Sequence, residues 1–217
     1  NVDATTGATG VAWPVPPAAV STTVTIKVVD DPAWVTNAVD GVSGIFKITP
    51  LVAVASPNGG EKWAGAVPHT ISWNVTGSVA QVDLDYSTAG AGGPWTNFAD
   101  NIAHDGSESL TLPAGMVGSN VFVRVSNAAD VDANDVSNAA ITVTALTLTV
   151  PSNASLRYLA GSSQPNLIKW TSTSISNVKI EYATAGTGGP WTPISTVLAA
   201  NGTGGVVTPC DSPGRPY

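Results

Sequence analysis

Oxygen-bearing side chains are concentrated in one short run of the sequence, Asp130-Val-Asp-Ala-Asn-Asp135. Asp130, Asp132 and Asn134 stand at alternate positions, the spacing with which calcium loops present ligands. Asp135 replaces the glycine that an EF-hand needs, and Ile141 replaces its final glutamate. We therefore favour a turn in which Asp and Asn side chains bond the backbone, with no metal. A weak calcium site between repeats is the alternative.

Tryptophans occupy two kinds of position. Trp73 and Trp170 lie on the apolar side of predicted strands, so we expect both in a core. Trp95 and Trp191 each follow a Gly-Gly-Pro loop. An indole there either packs on its own hairpin or a neighbouring repeat, or it stacks on a sugar if its ring is exposed. We favour packing and keep ligand stacking as the alternative.

Motifs for catalysis are missing from the sequence. It contains neither a Gly-x-Ser-x-Gly nucleophile motif nor a His-Glu-x-x-His zinc motif. Asp83 and Asp85 are predicted to lie on the solvent face of a strand, whereas an acid–base pair needs partly buried carboxyl groups. We expect no enzymatic activity and no cofactor.

Modification is a further kind of chemistry that the sequence allows. Three Asn-x-Ser/Thr sequences are candidate glycosylation sites, at Asn74, Asn153 and Asn201. Such sequences also arise by chance in a chain rich in Ser and Thr. The single cysteine, Cys210, excludes an internal disulfide. It is expected either to be buried as a small apolar residue or to form an intermolecular disulfide.

Charge and composition limit the classes of partner. The net charge of −7 and the eight basic residues argue against nucleic acid and anionic membrane surfaces as partners. No apolar run reaches the roughly 18 residues of a membrane span. Charged residues make up 11% of the chain, and 22 Gly and 16 Pro favour short strands joined by turns over long helices.

Internal repeats organise the sequence. Residues 82–95, Val-Asp-Leu-Asp-Tyr-Ser-Thr-Ala-Gly-Ala-Gly-Gly-Pro-Trp, recur with few changes 96 residues later as residues 178–191. Val24-Thr-Ile-Lys-Val28 likewise resembles Val121-Phe-Val-Arg-Val125, 97 residues further on. Repeats of this length indicate an array of similar domains.

The repeated segments alternate between apolar and polar residues. Val82, Leu84 and Tyr86 share one side of a strand, and Asp83 and Asp85 share the other. Such alternation predicts a sheet with one dry and one wet face. About seven such strands per repeat predict an all-β fold, consisting of tandem immunoglobulin- or fibronectin-III-like antiparallel β-sandwiches. No helix is predicted.

Three units follow from the repeat. Residues 1–49 are assigned to the C-terminal part of a sandwich repeat, 50–145 to a complete repeat, and 146–217 to the N-terminal part of a further repeat. The segment 141–150 runs from one repeat into the next, and Pro50 stiffens the other junction. Flexible linkers would be longer and rich in Gly or Ser, so the array is predicted to be stiff.

A family resemblance begins at Ser56-Pro-Asn-Gly-Gly-Glu-Lys-Trp63. Together with Ile71-Ser-Trp73 and the strand at 82–86, this segment resembles the KNH-type immunoglobulin-like repeat of yeast cell-wall and bacterial surface proteins. The resemblance covers residues 51–143, and the matching motif of the last repeat has changed to Ser152-Asn-Ala-Ser-Leu-Arg-Tyr-Leu159. It implies a secreted or cell-surface β-sandwich and no catalytic residues.

The two partial repeats are complementary, because the first is predicted to carry the strands that the last lacks. The apolar residues expected to act as donor strands are Val24, Ile26, Val28, Ile45, Phe46 and Ile48. Either the chain is cut from a longer array, or copies polymerise head to tail by strand complementation. We favour polymerisation, which makes the protein an extracellular filament subunit whose partner is itself.

The alternative function is an adhesive or carbohydrate-binding repeat segment of a larger secreted protein. Its partners would be cell-wall or surface glycans.

Overall fold

β-Strands joined by tight turns dominate the computed structural model, which describes residues 10–29, 40–151, 157 and 168–199. Within these residues the helical elements are single 3-10 turns at Pro17–Ala19 and Ala114–Met116. No helix in this part of the chain is long and apolar enough to cross a membrane. The all-β fold predicted from the alternation is confirmed.

The central segment contains nine strands, the last of which continues into the next segment. They are β5 (Leu51–Ser56), β6 (Lys62–Ala64), β7 (Pro68–Thr76), β8 (Gln81–Ser87), β9 (Thr96–Ala103), β10 (Ser107–Thr111), β11 (Gly118–Asn127), β12 (Asp130–Val136) and β13 (Ile141–Val150). One sheet has the order β10-β7-β5, and the other has the order β13-β11-β8-β9. β12 pairs with β11, and β6 runs parallel to β13.

A single apolar core fills the space between these two sheets. Val82, Leu84 and Tyr86 of β8 are buried, as the alternation predicts, and Trp73 of β7 lies among them with 2% of its surface exposed. The strands β5, β7, β8, β11 and β13 all contribute buried side chains to this core. The two sheets therefore form a sandwich of immunoglobulin or fibronectin-III type.

The first and last strands of the sandwich are each divided between two elements. β5 pairs with β7, and the chain then crosses at residues 57–61 so that β6 pairs with β13 of the other sheet. At the far end of the segment, β12 and β13 pair with successive parts of β11. Counting each divided strand once leaves the seven strands that the sequence predicts.

The Asp/Asn-rich run is a strand rather than a turn over most of its length. Asp130 to Val136 form β12, and the turn itself is limited to residues 128–129. The predicted bonding of side chains to the backbone is confirmed: Asn134 Nδ2 donates to the Val131 carbonyl oxygen at 2.8 Å, and Asp132 N donates to Asp130 Oδ1 at 3.3 Å. The prediction missed the strand because Asp and Asn are poor strand formers in isolation, whereas pairing with β11 holds them here.

Within residues 10–29 and 40–49, the first segment contains four short strands. They are β1 (Ser21–Val24), β2 (Lys27–Val29), β3 (Asp40–Val42) and β4 (Phe46–Ile48). β1 pairs with β4 and β2 with β3, both antiparallel. Between β1 and β2, Ile26 N donates to Ser43 Oγ at 2.8 Å, so a side chain takes the place of a strand partner.

This pairing repeats the pairing of the last strands of the central sandwich. Ser21 lies opposite Ile48 as Gly118 lies opposite Val143. A register irregularity follows the first residue in both pairs. β1 and β4 are thus the counterparts of the first part of β11 and of β13.

A side-chain detail confirms this equivalence. Ser43 Oγ accepts from Ile26 N, and Ser137 Oγ accepts from Val123 N at 3.2 Å. In return, Ser43 N donates to the Ile26 carbonyl and Ser137 N to the Val123 carbonyl, at 2.8 and 2.9 Å. The same serine bracket therefore closes both hairpins.

The last segment starts within β13 and continues through β14 (Lys169–Thr173), β15 (Asn177–Tyr182) and β16 (Thr192–Ala199). β13 is continuous from the central sandwich through its pairing with β14, so this junction contains no linker. β15 and β16 form a two-stranded sheet. Trp170 is buried with Val178, as predicted, in a small second core.

Candidate assembly interface

The inner face of the first segment is exposed where its counterpart is buried. Val123 and Val125 of β11 are fully buried in the central core. Their counterparts Ile26 and Val28 are 43% and 70% exposed. Because strand side chains alternate between faces, these residues mark the side that the second sheet of a sandwich would cover.

The other predicted donor residues divide between two faces. Val24, Phe46 and Ile48 are half-buried, and they correspond to residues at the centre of the core. Ile45 is 70% exposed and precedes β4, so the alternation places it with Lys47 on the opposite face. The alternation therefore places Ile45 outside the inner face, and its part in the interface stays a prediction.

The last segment has a matching exposed face. Leu146 and Leu148 of β13 are each 57% exposed, whereas Val52 and Val54 of β5, their counterparts in the pairing, are 3% and 5% exposed. The counterparts follow from the register: Trp170 lies opposite Leu148 as Trp73 lies opposite Val54.

An open cleft of about 310 Å³ follows this face. Apolar side chains of β13, β14 and β15 line most of it, and Lys179 and Glu181 contribute an ammonium group and a carboxylate. The apolar lining residues are Leu146, Leu148, Ile168, Trp170, Val178 and Ile180. Apart from Ile168, which precedes β14, the cleft is lined by three strands, and its apolar residues correspond to core positions of the central sandwich.

A lysine joins the first segment to the central sandwich at the candidate calcium site. Lys47 Nζ lies 2.9 Å from Asp130 Oδ1 and 2.7 Å from Asp132 Oδ2. Within the described residues, no group of three or more His, Cys, Asp or Glu side chains could hold a metal ion. Asn134 turns its amide to the backbone and takes no part in this contact. The acidic pair is thus occupied by an ammonium group.

The contact of Lys47 with Asp130 and Asp132, called here the lysine clamp, shifts two pKa values. The hydrogen bonds that Lys47 donates to Asp132 and Asp130 raise the pKa of Lys47 above its ordinary value of 10.5. The hydrogen bond from Lys47 lowers the pKa of Asp130 below its ordinary value of 3.8. The stability that ionised Asp130 gives this contact is present above the ordinary carboxyl pKa and is lost as pH falls through the lowered pKa. The stability that protonated Lys47 gives it is complete below pH 10.5 and is lost as pH rises through the raised pKa.

We predict that the orientation of the first segment on the central sandwich stays fixed between about pH 5 and 9 and loosens below about pH 4. Spin labels at Thr23 and Ser109, in a Cys210→Ser background, would report the distance distribution. We expect a narrow distribution of distances at neutral pH and a broad one below about pH 4. Lys47→Met should broaden the distribution at neutral pH, whereas Lys27→Met should leave it narrow. A distribution that stays narrow in Lys47→Met would show that the clamp does not fix the junction.

Two histidines bind tryptophans of the central sandwich. Trp73 Nε1 donates to His104 Nδ1 at 2.9 Å, which satisfies the one polar atom of this buried indole. The ring of Trp63 stacks on His69 with centroids 4.5 Å apart, and His69 Nε2 lies 2.8 Å from the Ala64 carbonyl oxygen. These contacts give both histidines a structural role.

The guanidinium group of Arg124 covers the Trp95 ring, whereas the Trp191 ring is exposed to solvent. The guanidinium carbon of Arg124 lies 4.7 Å from the centroid of the Trp95 ring, a cation–π contact. Arg124 Nε and Nη2 both donate to Asp85 Oδ2, at 3.0 and 2.8 Å. Trp191 follows the same loop, with Gly189 N donating to the Gly186 carbonyl, but its ring is 53% exposed. Ligand stacking at either ring stays a prediction.

Of the candidate modification sites, only Asn74 lies within the residues that the structure describes. Asn74 lies exposed on β7, so its amide is accessible. Asn153, Asn201 and Cys210 lie outside the described residues. Glycosylation of all three asparagines stays a prediction.

Sequence reasoning missed the lysine clamp and the arginine over Trp95. The clamp had no recurring signal, because Thr142 stands at the position equivalent to Lys47. The Asp85–Arg124 pair did leave a signal, since each residue stands on the polar side of an alternating strand and each has a charged counterpart in the other repeats.

Comparisons with known proteins are sparse. No protein-family model and no curated protein matches this chain. Among solved structures, the chain is similar to the fibronectin(III)-like modules of Clostridium thermocellum CbhA, with 16% sequence identity and a TM-score of 0.29. The match covers 60% of this chain and 66% of that chain, which is less than two thirds of its length.

Proposed function

We propose that the protein is an extracellular structural protein, the subunit of a stiff surface filament. The first segment of one copy completes the sandwich begun by the last segment of the next copy. This role is structural rather than catalytic, and the partner of the chain is a second copy of itself.

One observation carries the proposal: both flanking segments expose residues whose counterparts are buried in the central sandwich. Val28 is 70% exposed and Leu148 is 57% exposed, whereas Val125 is fully buried and Val54 is 5% exposed. Burying one such side chain stabilises a protein by about 1.5–3 kcal/mol, so joining the two faces would contribute on the order of ten kcal/mol as an upper estimate.

Geometry supports a filament over a closed dimer. The donor face and the acceptor face are different surfaces of the chain, so their contact is heterologous and adds copies in one direction. Continuity of β13 between two sandwiches and the lysine clamp at the other junction support a stiff filament. Among the described residues, β2 pairs with β3 and β15 pairs with β16, each along one edge, and such an assembly would pair the other edges.

Electron microscopy of the purified chain tests the proposal. We expect long fibres with a repeating sandwich unit, and we expect a chain lacking residues 1–49 to stay soluble and unpolymerised. Adding residues 1–49 as a separate peptide should cap chains of residues 1–217 and shorten their fibres. Monodisperse monomers of residues 1–217 at high concentration would contradict the proposal.

The exposed ring of Trp191 favours the second candidate, a carbohydrate-binding or adhesive repeat. Glycan binding that persists without polymerisation and is lost in Trp191→Ala would support that function instead.

A further inference from the structure

We propose a specific register for this assembly, in which Lys27 of one copy lies opposite Glu181 of the next copy and covers its Trp191 ring. The inference rests on the proposed filament and names the contact that selects the partner. It is derived from the corresponding contact inside the central sandwich.

The pairing of β11 with β8 in the central sandwich is the template for this register. β11 and β8 are antiparallel, and Arg124 lies opposite Asp85. Asp85 is buried, and Asn97 Nδ2 also donates to it, at 3.3 Å. Arg124 covers the Trp95 ring while it binds Asp85. This group of side chains holds β11 against the edge of β8.

The donor side of the contact is β2. Lys27 lies opposite Val42 as Arg124 lies opposite Val136, which makes Lys27 the counterpart of Arg124. The serine bracket at Ser43 gives the same alignment. In the chain itself, Lys27 forms an ion pair with Asp40 across the β2–β3 hairpin.

The acceptor side is the edge of β15. Tyr182 lies opposite Thr192 as Tyr86 lies opposite Thr96, and the other pairs of β15 and β16 follow β8 and β9 with the same register. Glu181 is therefore the counterpart of Asp85. Among the described residues, β15 pairs with β16 only, so the edge that β8 offers to β11 is unpaired here.

Placing β2 on this edge in the template register brings together residues of matching kind. Lys27 lies opposite Glu181, and Val28 lies opposite Ile180, as Val125 lies opposite Leu84. Ile26 then lies opposite Tyr182, which is 48% exposed where Tyr86 is buried. The basic side chain and the carboxylate are both retained, although each residue type differs from the template.

The register predicts three pairwise contacts at once: the ion pair of Lys27 with Glu181, the aliphatic pair of Val28 with Ile180, and the contact of Ile26 with the Tyr182 ring. A slip by one residue would turn every side chain of β2 to the other face. The exposed cleft is lined by Ile180, by Glu181 and by Lys179, which pairs with Glu181 within the chain. Its apolar lining and its carboxylate match the apolar and basic side chains of the donor strand. The occupant that we infer is thus β2 of a second copy.

A charge-swap experiment tests the register. The donor variant is Lys27→Glu with Asp40→Lys, which keeps the ion pair inside the β2–β3 hairpin. The acceptor variant is Glu181→Lys with Lys179→Glu, which keeps the Lys179–Glu181 ion pair within β15. Each variant alone places like charges opposite each other, and we expect its critical concentration for fibre formation to rise about tenfold or more. An equimolar mixture should polymerise like the wild type, because every contact between unlike variants restores opposite charges.

Cross-linking gives an independent readout in a Cys210→Ser background. Lys27→Cys with Glu181→Cys should produce a ladder of disulfide-linked oligomers on a non-reducing gel. Thr25→Cys with Glu181→Cys, displaced by two residues on the same face, should produce little. Fluorescence of Trp191, compared with a Trp191→Phe chain, should shift to shorter wavelength as fibres form.

The outcomes separate this inference from the proposed function. If the wild type forms fibres but both charge variants polymerise normally, or if the displaced cysteine pair cross-links as well as the aligned pair, the register is wrong and the filament stands. If the wild type forms no fibres, both are wrong.

Discussion

Replacing Val28 with aspartate should abolish fibre formation at concentrations where the wild type assembles. In the proposed register Val28 takes the place of Val125, which is fully buried in the central core. A carboxylate buried there without a partner costs several kcal/mol, so the contact should weaken about a thousandfold or more. Since Val28 is 70% exposed in the isolated chain, thermal unfolding of the central sandwich should not change. Sedimentation and electron microscopy would measure the assembly.

Thr23→Asp is the matched control for this prediction. Thr23 lies on β1 of the same segment, and its counterpart in the central sandwich, Asn120, is exposed. The same charge at Thr23 should therefore leave polymerisation nearly unchanged. Equal losses in both variants would attribute the effect to net charge, and normal fibres in Val28→Asp would exclude Val28 from the interface.

The alternation of apolar and polar residues and the repeated segments predicted the fold, because both can be recognised within short stretches of sequence. The burial of Val82, Leu84 and Tyr86 follows from a period of two, which a strand imposes on any amphipathic segment. Trp73 and Trp170 are buried as predicted, because both stand on the apolar side of such a strand.

Contacts between distant segments could not be predicted in the same way. The Lys47–Asp130 pair joins residues 83 apart in sequence, and no second copy of it recurs to mark it. His104 accepts from Trp73 across 31 residues, and a lone histidine in a turn carries no sign of that role. Such pairs depend on how the sheets face each other, which the pattern within one strand does not contain.

The alignment of the repeats is also clearer in the structure than in the sequence. The sequence places Ser152-Asn153 against Ser56-Pro57, 96 residues apart. The pairing of β13 with β14 instead makes Leu148 the counterpart of Val54, 94 residues apart. The stretch between the two paired positions is longer in the last repeat, from Leu148 to Trp170, than in the central one, from Val54 to Trp73. Only this alignment shows that Leu146 and Leu148 occupy core positions.

The loop at residues 57–61 contains Gly59, where two chain segments approach each other closely. Gly59 has φ +126°, and a Cβ built on it would lie 2.5 Å from Ala139 Cβ and 3.0 Å from Ala139 N. Glu61 accepts from Asn58 N and Gly59 N, at 2.8 and 2.7 Å. Burial acts to raise the pKa of Glu61, but these N–H donors outweigh it, and the pKa is lowered below 4.5.

Gly59→Ala should therefore be among the most destabilising substitutions in the central sandwich. The added methyl group meets the backbone of Ala139, which cannot rotate away, and alanine is strained at this positive φ. Strain and overpacking together predict a loss of about 2–5 kcal/mol in the free energy of unfolding. Hydrogen exchange of amides in β7 and β11 would measure it, because those strands belong to the central sandwich alone.

Gly60→Ala separates the two causes of that loss. Gly60 also has a positive φ, +83°, but a Cβ there would have no atom within 4 Å. Its substitution should cost only the backbone strain, about 1 kcal/mol. A much larger loss of unfolding free energy in Gly59→Ala than in Gly60→Ala would show why position 59 is glycine. The packing of this loop on the turn between β12 and β13 would then require it. Similar losses in the two variants would mean that backbone conformation alone requires both glycines, and that the contact with Ala139 adjusts without cost.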